Sequence, residues 1–200
     1  MGIAERRTRQ KEEVRTSILQ AAWQLVMADG WQSLSIRKIA DAIEYSVPVI
    51  YDHFENKEAI LLEFTKDGFS LLAQKMEETK NLHTAPAEQL NAIAFAYWDF
   101  AFSNKEYYQL MFGLGMPSCD LARKVPEIGA YGMLVQGVIK ELIAGSSHTD
   151  ANPFLKFHTF WSMLHGLVSI NMMGQTATPD EMNKMILKDA MYGFIKALKE

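Results

Sequence analysis

Apolar positions recur at three- and four-residue intervals along nearly the whole chain, and strand-like alternation is scarce, which predicts helices throughout. Val14, Ile18, Ala21, Ala22 and Leu25 mark one face of a first helix, and Gly30 ends it. A short second helix opens at Ser35 with Ile36, Ile39, Ala40 and Ile43 turned inward. Ser46 begins another short segment, residues 47–54. Asn56 stands where it can cap a long helix through Ile60, Leu61, Phe64, Leu71, Leu72 and Met76.

Residues 81–85 read as a polar connection, and Pro86 suits the first turn of the next helix. That helix, residues 86–103, is apolar almost all round (Leu90, Ile93, Phe95, Tyr97, Trp98, Phe102), the pattern of a helix in the middle of a bundle. Asn104 can cap a short helix ending near Gly113, and residues 115–120 read as a loop. Helix resumes at Ala122 or Pro126 and runs to Gly145. Asn152 and Pro153 are cap and first-turn proline of a helix to about Met173, and Thr178-Pro179-Asp180-Glu181 has the capping-box spacing before a last helix. The pattern predicts nine helices, three of them short and packed near the start.

Composition narrows the class without choosing a function. The 200 residues, 48% apolar and 22% charged, suit one or two small globular domains. The lone cysteine, Cys119, excludes an intrachain disulfide framework and every multi-cysteine metal motif, and it fits a reducing cytoplasm. Residues 1–15 are charged and lack the apolar centre of a signal peptide. The longest apolar stretch, residues 92–102, is broken by Asp99 and too short for a bilayer, so the expectation is a cytoplasmic protein with no membrane partner. His158 and His165 stand about 10 Å apart along one helix, too far to share an ion. No catalytic constellation is legible either, so no enzyme, cofactor or metal is expected.

Two short helices joined by the tight link Glu44-Tyr45 and packed on a first helix have the proportions of a helix-turn-helix, whose second short helix enters the major groove of DNA. The residues there are specific. Gly30-Trp31, Ser35-Ile36-Arg37-Lys38-Ile39-Ala40, Ser46-Val47-Pro48-Val49-Ile50-Tyr51-Asp52-His53-Phe54 and Asn56-Lys57-Glu58-Ala59-Ile60-Leu61 closely resemble the N-terminal domain of the TetR family of bacterial transcriptional repressors. The resemblance covers residues 8–62. Residues 160–166, with Trp161, His165 and Gly166, look like the Trp…His-Gly signature of one group of that family's C-terminal domains. The resemblance implies a three-helix DNA-binding domain, residues 1–56, followed by a helical-bundle domain for ligand binding and dimerisation, residues 57–200.

Roles follow the matched positions. Ser46 is expected to cap the reading helix, with Val47, Pro48, Val49 and Asp52 facing bases. Tyr51, His53 and Lys57 resemble the family's phosphate contacts, and Ser35 and Arg37 open the preceding helix beside them. Ile39, Ala40, Ile50 and Phe54 are expected in the core. Arg6, Arg7 and Arg9 form a basic arm. Glu44 stands where the family usually has glycine, so a left-handed turn is not required there. Residues 1–57 carry eight basic and eight acidic side chains, so binding rests on local placement of cations.

The expected partners are an operator in double-stranded DNA, a small-molecule effector and a second copy of the chain. Trp98, Phe102, Tyr108, Met111, Phe112, Trp161, His165 and Met172, with Tyr97 and Tyr107 beside them, are candidates to line the effector pocket. Aromatic and methionine richness suits an apolar, adaptable pocket. Asp99 reads as surface, or as a buried acid that would favour a cationic ligand. Dimerisation is expected through the last two helices, on faces carrying Phe154, Phe157, Trp161, Leu164 and Val168, and Met182, Met185, Ile186, Phe194 and Leu198. The competing reading is a helical ligand-binding or protein-interaction module without DNA binding.

Overall fold

A computed structural model describes residues 2–112, 126–147, 150–172 and 180–199; the features noted at Gly113, residues 115–120, Ala122, Met173, Thr178 and Pro179 lie outside them. The described residues form helices and connections, with no strand among them. None of these helices is long and apolar enough to cross a membrane. The chain divides into two compact units, Met1–Thr65 and Lys66–Glu200.

The first unit holds α1 (Ile3–Asp29), a single 3-10 turn at Trp31–Ser33, α2 (Ile36–Ala42), α3 (Val47–Tyr51) and the first turns of α4 (Lys57–Lys80). α1 starts earlier than the arm reading allows: no glycine or proline interrupts residues 3–29, and the Glu5 carboxylate accepts from the Gly2 N–H at 2.8 Å. Arg6, Arg7 and Arg9 are therefore helical, and Arg9 pairs with Glu13 one turn on at 3.6 Å. Gly30 ends α1 at φ 76°, a conformation open to glycine at little cost. Ile18, Ala22, Val26, Leu34, Ile39, Ala40, Ile50, Phe54 and Ile60 are buried together with Trp31 and Phe64. Trp23 joins those two rings, its centroid 6.0 Å from Trp31 and 5.5 Å from Phe64. At roughly 2 kcal/mol per buried large side chain, this small core holds three short elements that are too short to be helical alone.

The second unit contains the rest of α4, α5 (Pro86–Ser103), α6 (Lys105–Phe112), α7 (Pro126–Ala144), α8 (Pro153–Met172) and α9 (Glu181–Lys199). α5 is its centre, with Leu90, Ile93, Ala94, Tyr97, Trp98, Phe100 and Ala101 all buried. It packs against α6, α7, α8 and α9. Asp99 is exposed among buried neighbours on this helix, so it is a surface acid. Gly68 of α4 admits α6 closely: a Cβ there would lie 2.7 Å from Sδ of Met111 and 3.1 Å from the Tyr107 ring.

Side-chain caps account for several starts. Asn56 Oδ1 accepts from Ala59 N–H at 2.8 Å, Asn152 Oδ1 from Phe154 and Leu155, and Asp180 Oδ1 from Asn183 at 2.9 Å. Asn104 instead turns its amide back, donating to the Phe100 carbonyl at 3.2 Å, so it serves the end of α5.

Candidate functional site

The link between α2 and α3 is a complete Schellman closure. Glu44 N–H reaches the Asp41 carbonyl at 3.3 Å and Tyr45 N–H reaches the Ala40 carbonyl at 3.0 Å. That pairing needs a left-handed residue between helix and exit, and Glu44 supplies it at φ 57°. The turn is left-handed despite the missing glycine, because two backbone hydrogen bonds and the burial of Ile39, Ala40 and Ile50 outweigh a cost of about 1 kcal/mol.

Ser46 occupies the cap position of α3, yet its side chain makes no cap hydrogen bond. The reason is local: Pro48 has no N–H to offer, and Val49 N–H already reaches the Ser46 carbonyl at 3.0 Å. At α2 the expected cap is present, with Ser35 Oγ accepting from Lys38 N–H at 3.3 Å.

α3 is divided sharply along its length. Ile50 is completely buried, while Tyr51 is 53% exposed, Ser46, Pro48 and Asp52 are exposed, and Val47 and Val49 are half-buried. Arg37 is exposed, and Lys57 stands half-buried at the start of α4. His53 is half-buried with Nδ1 inside and unpartnered. The neutral tautomer with its proton on Nε2 avoids burying an unpaired N–H, and it leaves Nε2 as a donor. Arg15 braces the α3–α4 junction: its guanidinium lies 4.8 Å from the Phe54 ring centroid and 2.6 Å from the Glu63 carboxylate. Lys38 pairs with Asp29 at 3.8 Å, which consumes one cation of this edge. Arg7, Lys11 and Arg15 follow at four-residue spacing on α1, one above the next.

In the second unit, part of the candidate pocket set converges. Tyr108 OH lies 2.6 Å from His165 Nδ1 and 3.0 Å from Tyr97 OH, and Ser169 Oγ lies 3.4 Å from His165 Nε2. Phe112 stacks between them, 4.8 Å from Tyr108, 5.0 Å from His165 and 6.3 Å from Trp161 by ring centroid. Phe157, Trp161, His165 and Ser169 stand at successive intervals of four on α8, which puts them on one face. Burial lowers the His165 pKa below its ordinary value and raises those of Tyr97, Tyr108 and Tyr131, so the cluster is uncharged near neutral pH. A neutral His165 then accepts from Tyr108 and Tyr108 accepts from Tyr97, which leaves the Nε2 proton facing Ser169.

Other candidates fall elsewhere. Trp98 and Phe102 pair with each other, ring centroids 4.8 Å apart. Met111 leans on Gly68, and Met172 is half-buried at the end of α8. Conversely, Tyr131 and Ser169 join the cluster without having been picked from the sequence, and Phe157, expected on the dimerisation face, joins it too. Phe157 and Ser169 were within reach, each four residues from a chosen position on α8. Tyr131, between Ala130 and Gly132, carries no such signal. Among the described residues no group of three His, Cys, Asp or Glu is placed to hold a metal ion.

Two surface features remain. An open groove of about 470 Å³ runs between the start of α5 and the end of α9, lined by Ala87, Asn91, Tyr192 and Ile195 and flanked by Lys188 and Lys196; it shares no residue with the tyrosine cluster. The last two helices carry an apolar outer face of Phe154, Leu155, Ile170, Met182, Met185, Ile186 and Tyr192. Phe157, Leu164 and Val168, expected on that face, are instead buried within the unit, because α8 turns them toward α5, α7 and α9, and Leu198 of α9 is buried as well.

The model of bacterial regulatory proteins of the tetR family matches residues 18–64, and that of the tetracyclin repressor-like C-terminal domain matches residues 90–189. The chain is 26% identical over 102 residues to the HTH-type transcriptional activator FasR of Mycolicibacterium smegmatis, covering 51% of this chain and 47% of that protein. The chain spans about half the length of the curated relatives it matches. Among solved structures it resembles a protein of unknown function from Rhodococcus sp. RHA1, with a TM-score of 0.77 at 20% identity over 93% of this chain and 95% of that one. It also resembles FadR from Bacillus subtilis, solved in complex with stearoyl-CoA, with a TM-score of 0.68 at 18% identity over 92% and 96%. At these identities the structural likeness speaks for the fold.

Proposed function

The chain belongs to the TetR family of bacterial regulatory proteins, and we propose that it is a DNA-binding transcriptional regulator that works as a cytoplasmic homodimeric repressor, released from a palindromic operator by a small apolar or aromatic effector. In this reading residues 1–56 meet DNA and residues 57–200 bind effector and partner subunit. The observation that carries it is the division of α3: Ile50 anchors the helix while Val47, Pro48, Val49, Tyr51 and Asp52 are left for a groove. Tyr51, the Nε2 proton of His53, Lys57, Arg37 and the uncommitted hydroxyl of Ser46 then meet phosphates, with Ser35 beside them. The unpaired apolar face of α8 and α9 supports a two-fold partner. The convergence of Tyr108, Phe112, Trp161 and His165 supports an effector site, and FadR, of the same fold, was solved with stearoyl-CoA. Release follows when the effector binds better to a state in which the two reading heads no longer match the operator spacing.

Selection of random duplex DNA by the purified protein at low and moderate salt tests this reading. An enriched palindrome with half-site centres about one helical turn apart, or at a spacing that admits paired dimers, is expected. Folded, effector-free protein that enriches no sequence at low salt overturns it.

A further inference from the structure

The tyrosine cluster holds donors that no acceptor meets. Pairing Tyr97 to Tyr108 to His165 to Ser169 uses the protons of Tyr97, Tyr108 and His165 Nε2, with Ser169 Oγ as the last acceptor. Two donors are left over, both buried and both without a hydrogen-bond partner: the Tyr131 hydroxyl and the Trp161 indole N–H. Tyr131 is only 4% exposed, and its ring lies 6.3 Å from Tyr97 and 5.8 Å from Phe157. Its hydroxyl feels that of Tyr108 electrostatically without bonding to it. The Trp161 indole favours the ionised form of Tyr97 but falls short of hydrogen-bond geometry. A buried donor left unpaired is costly, so a site that keeps two of them, both acting on the Tyr97 hydroxyl, is complete only when something supplies an acceptor.

The charges around the cluster decide what kind of acceptor. Among the described residues, the rings and hydroxyls in contact here are neutral side chains from α5, α6, α7 and α8, with no Lys, Arg, Asp or Glu among their hydrogen-bond and ring partners. Glu127, one turn before Tyr131 on α7, has a buried unpartnered carboxylate oxygen, but it does not act on the Tyr131 hydroxyl, whose electrostatic neighbour is Tyr108. Taking an anion or a cation out of water without a counter-charge costs several kcal/mol, far more than desolvating a carbonyl. Phe112, Trp161 and His165 are only partly buried, so the aromatic wall has an open side.

We propose that the effector is an uncharged apolar molecule bearing a carbonyl-type oxygen, which accepts hydrogen bonds from the Tyr131 hydroxyl and the Trp161 indole while its apolar body lies against Phe112. This rests on the reading of the second unit as effector-binding, and it names the chemical class.

The test uses the full chain with its four tryptophans isotopically labelled at the indole nitrogen, the Trp161 signal being assigned by its loss in Trp161→Phe. The probes are sets of matched neutral, anionic and cationic compounds of graded size, beginning with methyl hydrocinnamate, hydrocinnamate and phenylpropylamine. A neutral ester or ketone should shift the Trp161 indole proton downfield and bind at least about tenfold more tightly than its charged counterparts. Tyr131→Phe should weaken that binding about tenfold while raising the unfolding midpoint of the ligand-free protein, since it removes an unpaired buried hydroxyl. A merely structural tyrosine gives the opposite sign of stability change. Equal binding of charged probes, a Trp161 signal that no neutral carbonyl compound moves, or a lower midpoint for Tyr131→Phe overturns the proposal. DNA selection is scored separately, so an operator found without carbonyl binding sinks this inference and leaves the regulator standing.

Discussion

The reading edge and the tyrosine cluster handle polar groups in opposite ways. On α3, one buried isoleucine holds a five-residue helix, and Tyr51, Asp52 and Ser46 stay in solvent, where leaving them unpaired costs little. Around Tyr108 the polar atoms are buried in aromatic surroundings, two are paired at 2.6 Å, and two are orphaned. The first site is contiguous in sequence, so each residue's role follows from which side of a short helix it occupies. The second is assembled from α5, α6, α7 and α8, so its roles follow from packing. A DNA surface must present donors to a partner already bristling with acceptors, whereas an effector site must hold donors ready in the dark.

The largest effect that separates the two ideas lies within α3 itself. Ile50→Ala opens a cavity in a small core and should cost about 2–5 kcal/mol, enough to unfold the first unit. Tyr51→Ala, the next residue, should leave stability within about 0.5 kcal/mol. It should nonetheless weaken DNA binding about tenfold across all sequences and leave the slope of the salt dependence unchanged, since a phenol neutralises no phosphate charge. Calorimetry beside DNA titrations at several salt concentrations measures both. If Tyr51→Ala destabilises as Ile50→Ala does, the edge is packing and the contrast collapses.

The next effect belongs to the cluster. Tyr108→Phe strands the Tyr97 hydroxyl and His165 Nδ1 together and should cost about 1–3 kcal/mol. The cluster also makes stability depend on pH at both ends of the range. Burial holds the folded His165 below its ordinary 6.5, so the unfolded chain takes up that proton first. Stability therefore falls as pH drops through about 6.5 and levels once the folded histidine also protonates. Tyr97, Tyr108 and Tyr131 are raised by burial, so above about pH 10 the unfolded chain releases their protons first and stability falls again as pH rises. In unfolding midpoints measured against pH, His165→Gln should flatten the acid limb and Tyr108→Phe should soften the alkaline one. Tyr51→Ala should change neither.

Helix periodicity and caps were legible because they are local. Asn56 and Asn152 follow from spacing and local cap hydrogen bonds, and the buried set of Ile39, Ala40, Ile50 and Phe54 from spacing alone. Ser46 misled because the pattern shows the cap residue but not that Pro48 and Val49 have withdrawn both of its donors. The outer face of α8 and α9 misled for a related reason: both sides of α8 are apolar, and only the packing of α5 and α7 decides that Phe157 and Leu164 go in while Phe154 and Ile170 stay out. Tyr131 was illegible because its place depends on three other helices, and a single tyrosine among small residues says nothing about which of them it will face.

The smallest effect tests the turn that joins backbone geometry to charge. Glu44 holds a left-handed conformation that costs a side-chain-bearing residue about 1 kcal/mol, and it adds a negative charge beside a surface read as phosphate-facing. Glycine relieves the strain but adds freedom to the unfolded chain, so Glu44→Gly should stabilise by a net of about 0.5 kcal/mol. Glu44→Gln keeps the strain and removes only the charge. If both effects operate, Glu44→Gly raises the unfolding midpoint and tightens DNA binding at low salt, whereas Glu44→Gln tightens binding by a similar few tenths of a kcal/mol with the midpoint unchanged. Tighter binding for Glu44→Gly alone would assign the benefit to the turn. The reading edge would then owe its strength to how firmly α3 is held, and charge at Glu44 would drop out of the account.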